Sequence, residues 1–176
     1  PVDLKEVILA TLELLKAKIK ESNALIELGD LCRIPGYKDK IFVLISQLID
    51  NAIKFNETAS PKVFIECKKT AIGRNDYSEI NSGEFYRLSV SDNGIGIDSH
   101  EHERIFRMFE KLNGQSYKGS GVGLTLVRKI MEIHNGFVQV ESSDKGSTFF
   151  CWFPVSDQED GQEDSQGNGQ GNGQTY

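Results

Sequence analysis

Ser91-Asp92-Asn93-Gly94-Ile95-Gly96-Ile97 follows directly on Phe85-Tyr86-Arg87-Leu88-Ser89-Val90, whose apolar residues alternate as in a half-buried strand. The strand therefore ends at an acid followed by two glycines one residue apart. A carboxylate there can accept a hydrogen bond from an exocyclic amine. The glycines let a flat ring approach the backbone and permit positive φ in the turn. Asp-Asn-Gly alone is also an ordinary turn sequence. A second glycine cluster, Gly119-Ser120-Gly121-Val122-Gly123, precedes a helix further on, and an amphipathic helix carrying Asn51 lies upstream. The three together describe a purine-nucleotide site.

Working outward, Asp3-Leu4-Lys5-Glu6 reads as a capping box. Apolar residues then keep helical spacing to about Lys20. Ala24–Leu28 reads as a short strand and Arg33–Gly36 as a turn. A second helix is expected over Lys38–Phe55, apolar around more than half its circumference and so well buried. Strands follow at Lys62–Ala71 and Glu84–Asp92, joined by a polar loop, Gly73–Gly83. A short helix is expected over His102–Phe109 and a longer one over Gly123–His134, closed by Asn135-Gly136. Phe137–Ser142 and Ser147–Phe153 form a hairpin around Asp144-Lys145-Gly146. This order predicts a two-layer α/β sandwich, a mixed sheet with helices on one face.

Residues 1–155 form one domain in this reading. Ser156–Tyr176 holds five acids, no base and no large aliphatic residue, so it is expected to be a disordered acidic tail. Those five are part of 26 acids set against 20 lysines and arginines, so without them the charge nearly balances. Nothing in the body suggests a nucleic-acid surface. Cys32, Cys67 and Cys151 make neither a zinc motif nor a disulfide framework and read as thiols in a reducing cytosol. No apolar run approaches the ~20 residues that span a bilayer, and no direct membrane contact is expected. The chain starts at Pro1, already entering a helix, and reads as a piece of a longer protein.

On the second helix Gln47, Asn51 and Lys54 fall on one stripe, with Asp50 off it. Two amides and an ammonium aligned on an apolar helix require partners, because an unpaired buried polar group costs about 1–3 kcal/mol. A magnesium nucleotide would supply them, with the Asn51 oxygen as a hard ligand for Mg²⁺ and Lys54 as a point charge on phosphate. A solvated helix edge is the competing account. The glycines of the second cluster would offer backbone N–H groups to phosphate at a helix start, or serve as a hinge. The cluster lacks the dinucleotide fingerprint's interval. Gly114–Gly119 is followed by Ser120 rather than a P-loop lysine, and His100-Glu101-His102-Glu103 lacks the spacing of a zinc protease.

These motifs together resemble the ATP-binding catalytic domain of two-component sensor histidine kinases. Gln47–Phe55 is similar to its N box, Asp92–Ile97 to the G1 box, and Ile105–Leu112 to the F box. Gly119–Leu126 is similar to the G2 box and Gly146–Phe149 to the closing glycine-threonine motif. The likeness extends from Asp3 to about Pro154. It implies the Bergerat fold, shared with gyrase, Hsp90 and MutL ATPases, and the cofactors ATP and Mg²⁺. By the same resemblance Asn51 would ligate Mg²⁺, Lys54 would contact phosphate, and Phe55 would lie against adenine. Asp92 would accept from the adenine amino group, with Gly94, Gly96 and Ile97 beside it, and Thr148 would reach the base. Gly119, Ser120, Gly121, Val122, Gly123 and Leu124 would surround the phosphates. Ser99–Lys118 would be a lid, with Lys111 at its basic position.

Two departures qualify what is implied. Gln47 stands where hydrolysing relatives carry a glutamate base, and an amide takes no proton from water, so hydrolysis should be poor. No phosphoacceptor helix is evident: none of His100, His102 and His134 has the expected surroundings. The implied partners are a histidine-bearing dimerisation domain of the same parent and, downstream, a response regulator. The domain is expected to be a cytoplasmic monomer. The alternatives are a nucleotide-binding regulatory module without transfer activity and an anti-sigma-type serine kinase.

Overall fold

A computed structural model describes residues 1–73, 83–102, 104–107 and 122–155. Its centre is a five-stranded mixed sheet in the order β2-β4-β5-β7-β6. The strands are β2 (Leu25–Leu28), β4 (Lys62–Ile72), β5 (Gly83–Asp92), β6 (Phe137–Ser143) and β7 (Gly146–Pro154). β2 runs parallel to β4, and the remaining neighbours pair antiparallel. The helices are α1 (Leu4–Leu14), α2 (Lys16–Glu21), α3 (Lys38–Lys54) and α4 (Gly123–Ile133). The α/β sandwich expected from the sequence is what forms, with helices on one face of a mixed sheet.

The two periodicities explain the layering. Leu4, Val7 and Ile8 of α1, Ile41, Leu44, Ile45, Leu48 and Ile49 of α3, and Val127, Ile130 and Met131 of α4 are all buried. They share one core with Val63, Ile65, Leu88, Val90, Cys151 and Phe153 from alternate strand positions. The other sheet face carries a smaller cluster, Ile72, Phe85 and Trp152, with Phe137 and Phe150 against it. There the Arg87 guanidinium lies 5.2 Å from the Phe150 ring centroid and 5.6 Å from that of Trp152.

Several local expectations change. The first helix is divided at Leu15 (φ −91°, ψ 5°), although Leu15 N–H still donates to Thr11 O and Ile19 N–H to Leu15 O. Arg33-Ile34, read as part of a turn, is the short strand β3 (Arg33–Ile34), paired with β1 (Val2–Asp3). In place of a helix from His102 there are two 3-10 turns, Ser99–Glu101 and Arg104–Phe106. Within the second, Ile105 and Phe106 are buried. The remainder of that expected helix, Met108 and Phe109, lies outside the described residues, as does the 156–176 tail.

The far ends of α3 and α4 are joined by His134. Its Nδ1 donates to Ile130 O at 2.7 Å, and its Nε2 accepts from Tyr37 N–H at 3.0 Å, just before α3 begins. The ring packs edge-on against Phe153. A Cβ on Gly36 would come within 2.6 Å of it.

Candidate nucleotide site

The site forms where α3 ends, β5 ends and α4 begins. Asp92 is the last residue of β5 and faces the helical layer, opposite Val63 in the register. Its Oδ1 accepts from Gly94 N–H at 2.8 Å and from Ser147 N–H at 3.2 Å. Oδ2 accepts from no described residue. Burial raises the Asp92 pKa above the usual carboxylate value, and the two backbone donors oppose that shift. The result is a partly desolvated acceptor with one oxygen fixed and the other available.

Backbone contacts that exclude side chains build the surroundings. Gly96 adopts φ +73° and Gly146 φ +125°. A Cβ on Gly96 would lie 1.8 Å from Ser143 O, and one on Gly146 would lie 2.0 Å from Asp92 O. Gly94 sits against Phe55 O, which accepts from Ile95 N–H at 3.1 Å. Asn93 Oδ1 accepts from Asn56 Nδ2 and from Lys62 N–H, each at 2.7 Å. These bonds tie the end of α3 to the glycine turn. Ile97 N–H donates to Ser142 Oγ at 2.8 Å, so the turn also rests on the β6–β7 hairpin.

On α3, Asn51 and Lys54 are half-buried, and the Lys54 ammonium lies 4.6 Å from the Phe55 ring centroid. Asp50 turns away and pairs with Lys18 of α2. The first residue of α4 meets the α3 stripe: a Cβ on Gly123 would lie 2.6 Å from Gln47 Oε1 and 3.8 Å from Asn51 Nδ2. Among the described residues no side chain caps the first turn of α4, which Val122 precedes. Its backbone donors and positive dipole end are therefore directed at the same space. Leu124 is half-buried against the core. Lys111, Gly119, Ser120 and Gly121 lie outside the described residues, as does the part of the expected lid from 108 onward.

Thr148 is not part of this cluster. Its Oγ1 donates to Ser91 Oγ at 2.9 Å, and Ser91 faces the opposite side of the sheet from Asp92. Strand alternation places Ser147 beside Asp92 instead. Ser147 is buried, with its Oγ 2.8 Å from Ser142 Oγ. Ser142, Ser147 and the Asn56–Asn93 bridge were not singled out from the sequence. Counting back in twos along β7 from Phe153 through Cys151 and Phe149, all in the main core, reaches Ser147 on the same face. Gln47, the first residue of the aligned stripe on α3, is the side chain that a Cβ on Gly123 would meet first.

Residues 36–157 match the family described as histidine kinase-, DNA gyrase B-, and HSP90-like ATPase. The phytochrome-like protein Cph1 of Synechocystis sp. is 36% identical over 157 residues, covering 88% of this chain and 19% of the relative. The chain spans about a fifth of the length of the curated relatives it matches. Among solved structures, the mycobacterial sensor histidine kinase MprB superposes with a TM-score of 0.71 at 24% identity, covering 88% of this chain and 97% of that one. Full-length ShkA in complex with AMPPNP gives 0.68 at 24% identity, covering 88% of this chain and 30% of that one. At that identity the two superpositions speak to the fold.

Proposed function

The chain belongs to the histidine kinase-, DNA gyrase B-, and HSP90-like ATPase family. From that premise we propose that it is the catalytic part of a sensor histidine kinase. It binds Mg·ATP and passes the γ-phosphoryl group to a histidine on a separate dimerisation domain of the same parent. A response regulator then takes the group, and the reaction is cytoplasmic.

Asp92 carries the reading. Its carboxylate is partly desolvated, pinned through Oδ1 by two backbone N–H groups, and open at Oδ2. An acceptor so placed suits the adenine amino donor and opposes the guanine carbonyl, a mismatch worth several kcal/mol. Mg²⁺ fits the donor set through Asn51, a neutral oxygen ligand beside the uncapped start of α4. Among the described residues no group of three His, Cys, Asp or Glu gathers to hold a metal, so the ion would share the nucleotide's own phosphate oxygens. When bound it would neutralise phosphate charge. Lys54 would add a positive charge there, Phe55 an aromatic face, and residues 119–123 backbone donors. Positioning and charge neutralisation are the main requirements of phosphoryl transfer.

Incubate the chain with labelled Mg·ATP, with and without the parent's dimerisation domain added in trans. Acid-labile phosphate is expected on the added domain only, at a low rate because no tether raises the local concentration. Phosphate on His100, His102 or His134 of this chain, or equal affinity for GTP and ATP, would overturn the reading. His134 already uses both ring nitrogens within the fold.

A further inference from the structure

Cys32 and Cys67 stand 35 residues apart in the chain, and the fold brings them into contact. The segment after β2 continues alongside β4. Gly29 N–H donates to Ile65 O at 2.9 Å, and Cys67 N–H donates to Asp30 O at 2.7 Å. This extension carries Cys32 over β4, where its Sγ donates to Cys67 O at 3.0 Å. The Cys32 carbonyl accepts from Leu4 N–H, which fixes the segment from its other side. Cys67 is 1% exposed and Cys32 half-buried, so one thiol is reachable and the other is sealed beneath it. Cys151 provides an internal comparison. It is fully buried on the same sheet face, but Leu88 of β5 stands between it and Cys67 in the register.

We propose that Cys32 and Cys67 are a reversible redox pair, closed to a disulfide by a low-molecular-weight disulfide such as oxidised glutathione. In the first step the Cys32 thiolate attacks one sulfur of the reagent. The reagent's S–S bond breaks, and one thiolate leaves and takes up the proton lost by Cys32. In the second step Cys67, deprotonated, attacks Cys32 Sγ. The second thiolate leaves and takes that proton. Two protein thiols are thereby oxidised by two electrons, and one reagent disulfide is reduced to two thiols. Burial, and next the neighbouring Cys32 thiol, push the Cys67 thiol up. The second step is therefore slow and follows local opening of residues 29–32. The closed ring encloses β3 and all of α3, with Asn51, Lys54 and Phe55.

The test treats the full chain with oxidised glutathione and follows intact mass, peptide cross-links and free thiols after denaturation. Loss of two hydrogens, a Cys32–Cys67 cross-linked peptide and a remaining thiol on Cys151 are expected. The oxidised form should melt roughly 5 °C higher. Cys67→Ser should stop at glutathione bound to Cys32, and Cys151→Ser should cross-link as the parent does. Persistence of three thiols, arrest of the parent chain with glutathione on Cys32, or a cross-link through Cys151 would overturn the proposal. None of these readings depends on nucleotide binding.

Discussion

Asp92 is placed against its own preference. Its folded pKa is raised by burial, so the folded chain holds a proton there over a range where the unfolded chain does not. The stability that this protonation contributes is fully present below the ordinary value near 3.8 and is lost as pH rises through the raised folded value. At neutral pH the ionised side chain is thus a cost to the empty domain, offset when a donor arrives. Asp92→Asn should keep the Oδ1 contacts to Gly94 and Ser147 while removing the charge. Without nucleotide this variant should melt no lower than the parent, and it should lack this part of the acid-range pH dependence. Its ATP affinity should fall about tenfold or more, the worth of a hydrogen bond to a charged group. Thermal scans across pH and calorimetric titration measure the two halves separately. Loss of stability together with binding would make Asp92 structural.

Among the elements, the β6–β7 hairpin supports the glycine turn from one side, through Gly146 against Asp92 O and Ser142 against Ile97 N–H. Gly146→Ala combines a backbone clash with a φ of +125°. It should lower stability by about 2–4 kcal/mol. Gly83→Ala has only an ordinary contact at 3.6 Å to Phe85 and should stay within about 0.5 kcal/mol. Denaturant titration of both variants is the measurement, and equal losses would remove the hairpin's role.

The elements also mark what the sequence could tell. Long periodic segments such as α3 and β5 were legible because burial repeats along them. β1 and β3, at two residues each, are too short to repeat anything, and only their mutual pairing creates them. Thr148, which the resemblance implies at the base, pairs instead with Ser91 on the other sheet face, because a period of two has no phase until a turn's geometry fixes it. The Cys32–Cys67 contact depends on how the chain continues past β2, which no local pattern records.

The whole molecule gathers its site from four separate stretches, 47–56, 92–97, 122–124 and 142–147. A ligand that touches several of them should hold the fold together. Saturating Mg·ATP at about 100 times its Kd should add about 2.7 kcal/mol, visible as a higher melting temperature. Deleting residues 156–176 should change neither that shift nor the affinity, because five acids and no bases have nothing to offer a triphosphate. A loss of affinity on deletion would bring the tail into the site. His134 adds a mechanical property to this assembly. It pins α4 to the start of α3, while at the other end of α4 the backbone of Gly123 lies close to the Gln47 side chain of α3. At about 1.5 Å per residue the 11-residue α4 is a lever about 16 Å long. A tilt of roughly 5° about the pinned end would carry the other tip about 1.4 Å. That travel is enough to take a backbone donor from bonding distance of a phosphate oxygen to beyond it. If the start of α4 holds phosphate as proposed, the imidazole would act as a fulcrum, and a change at the opposite end of the helix would reach that grip without touching the site.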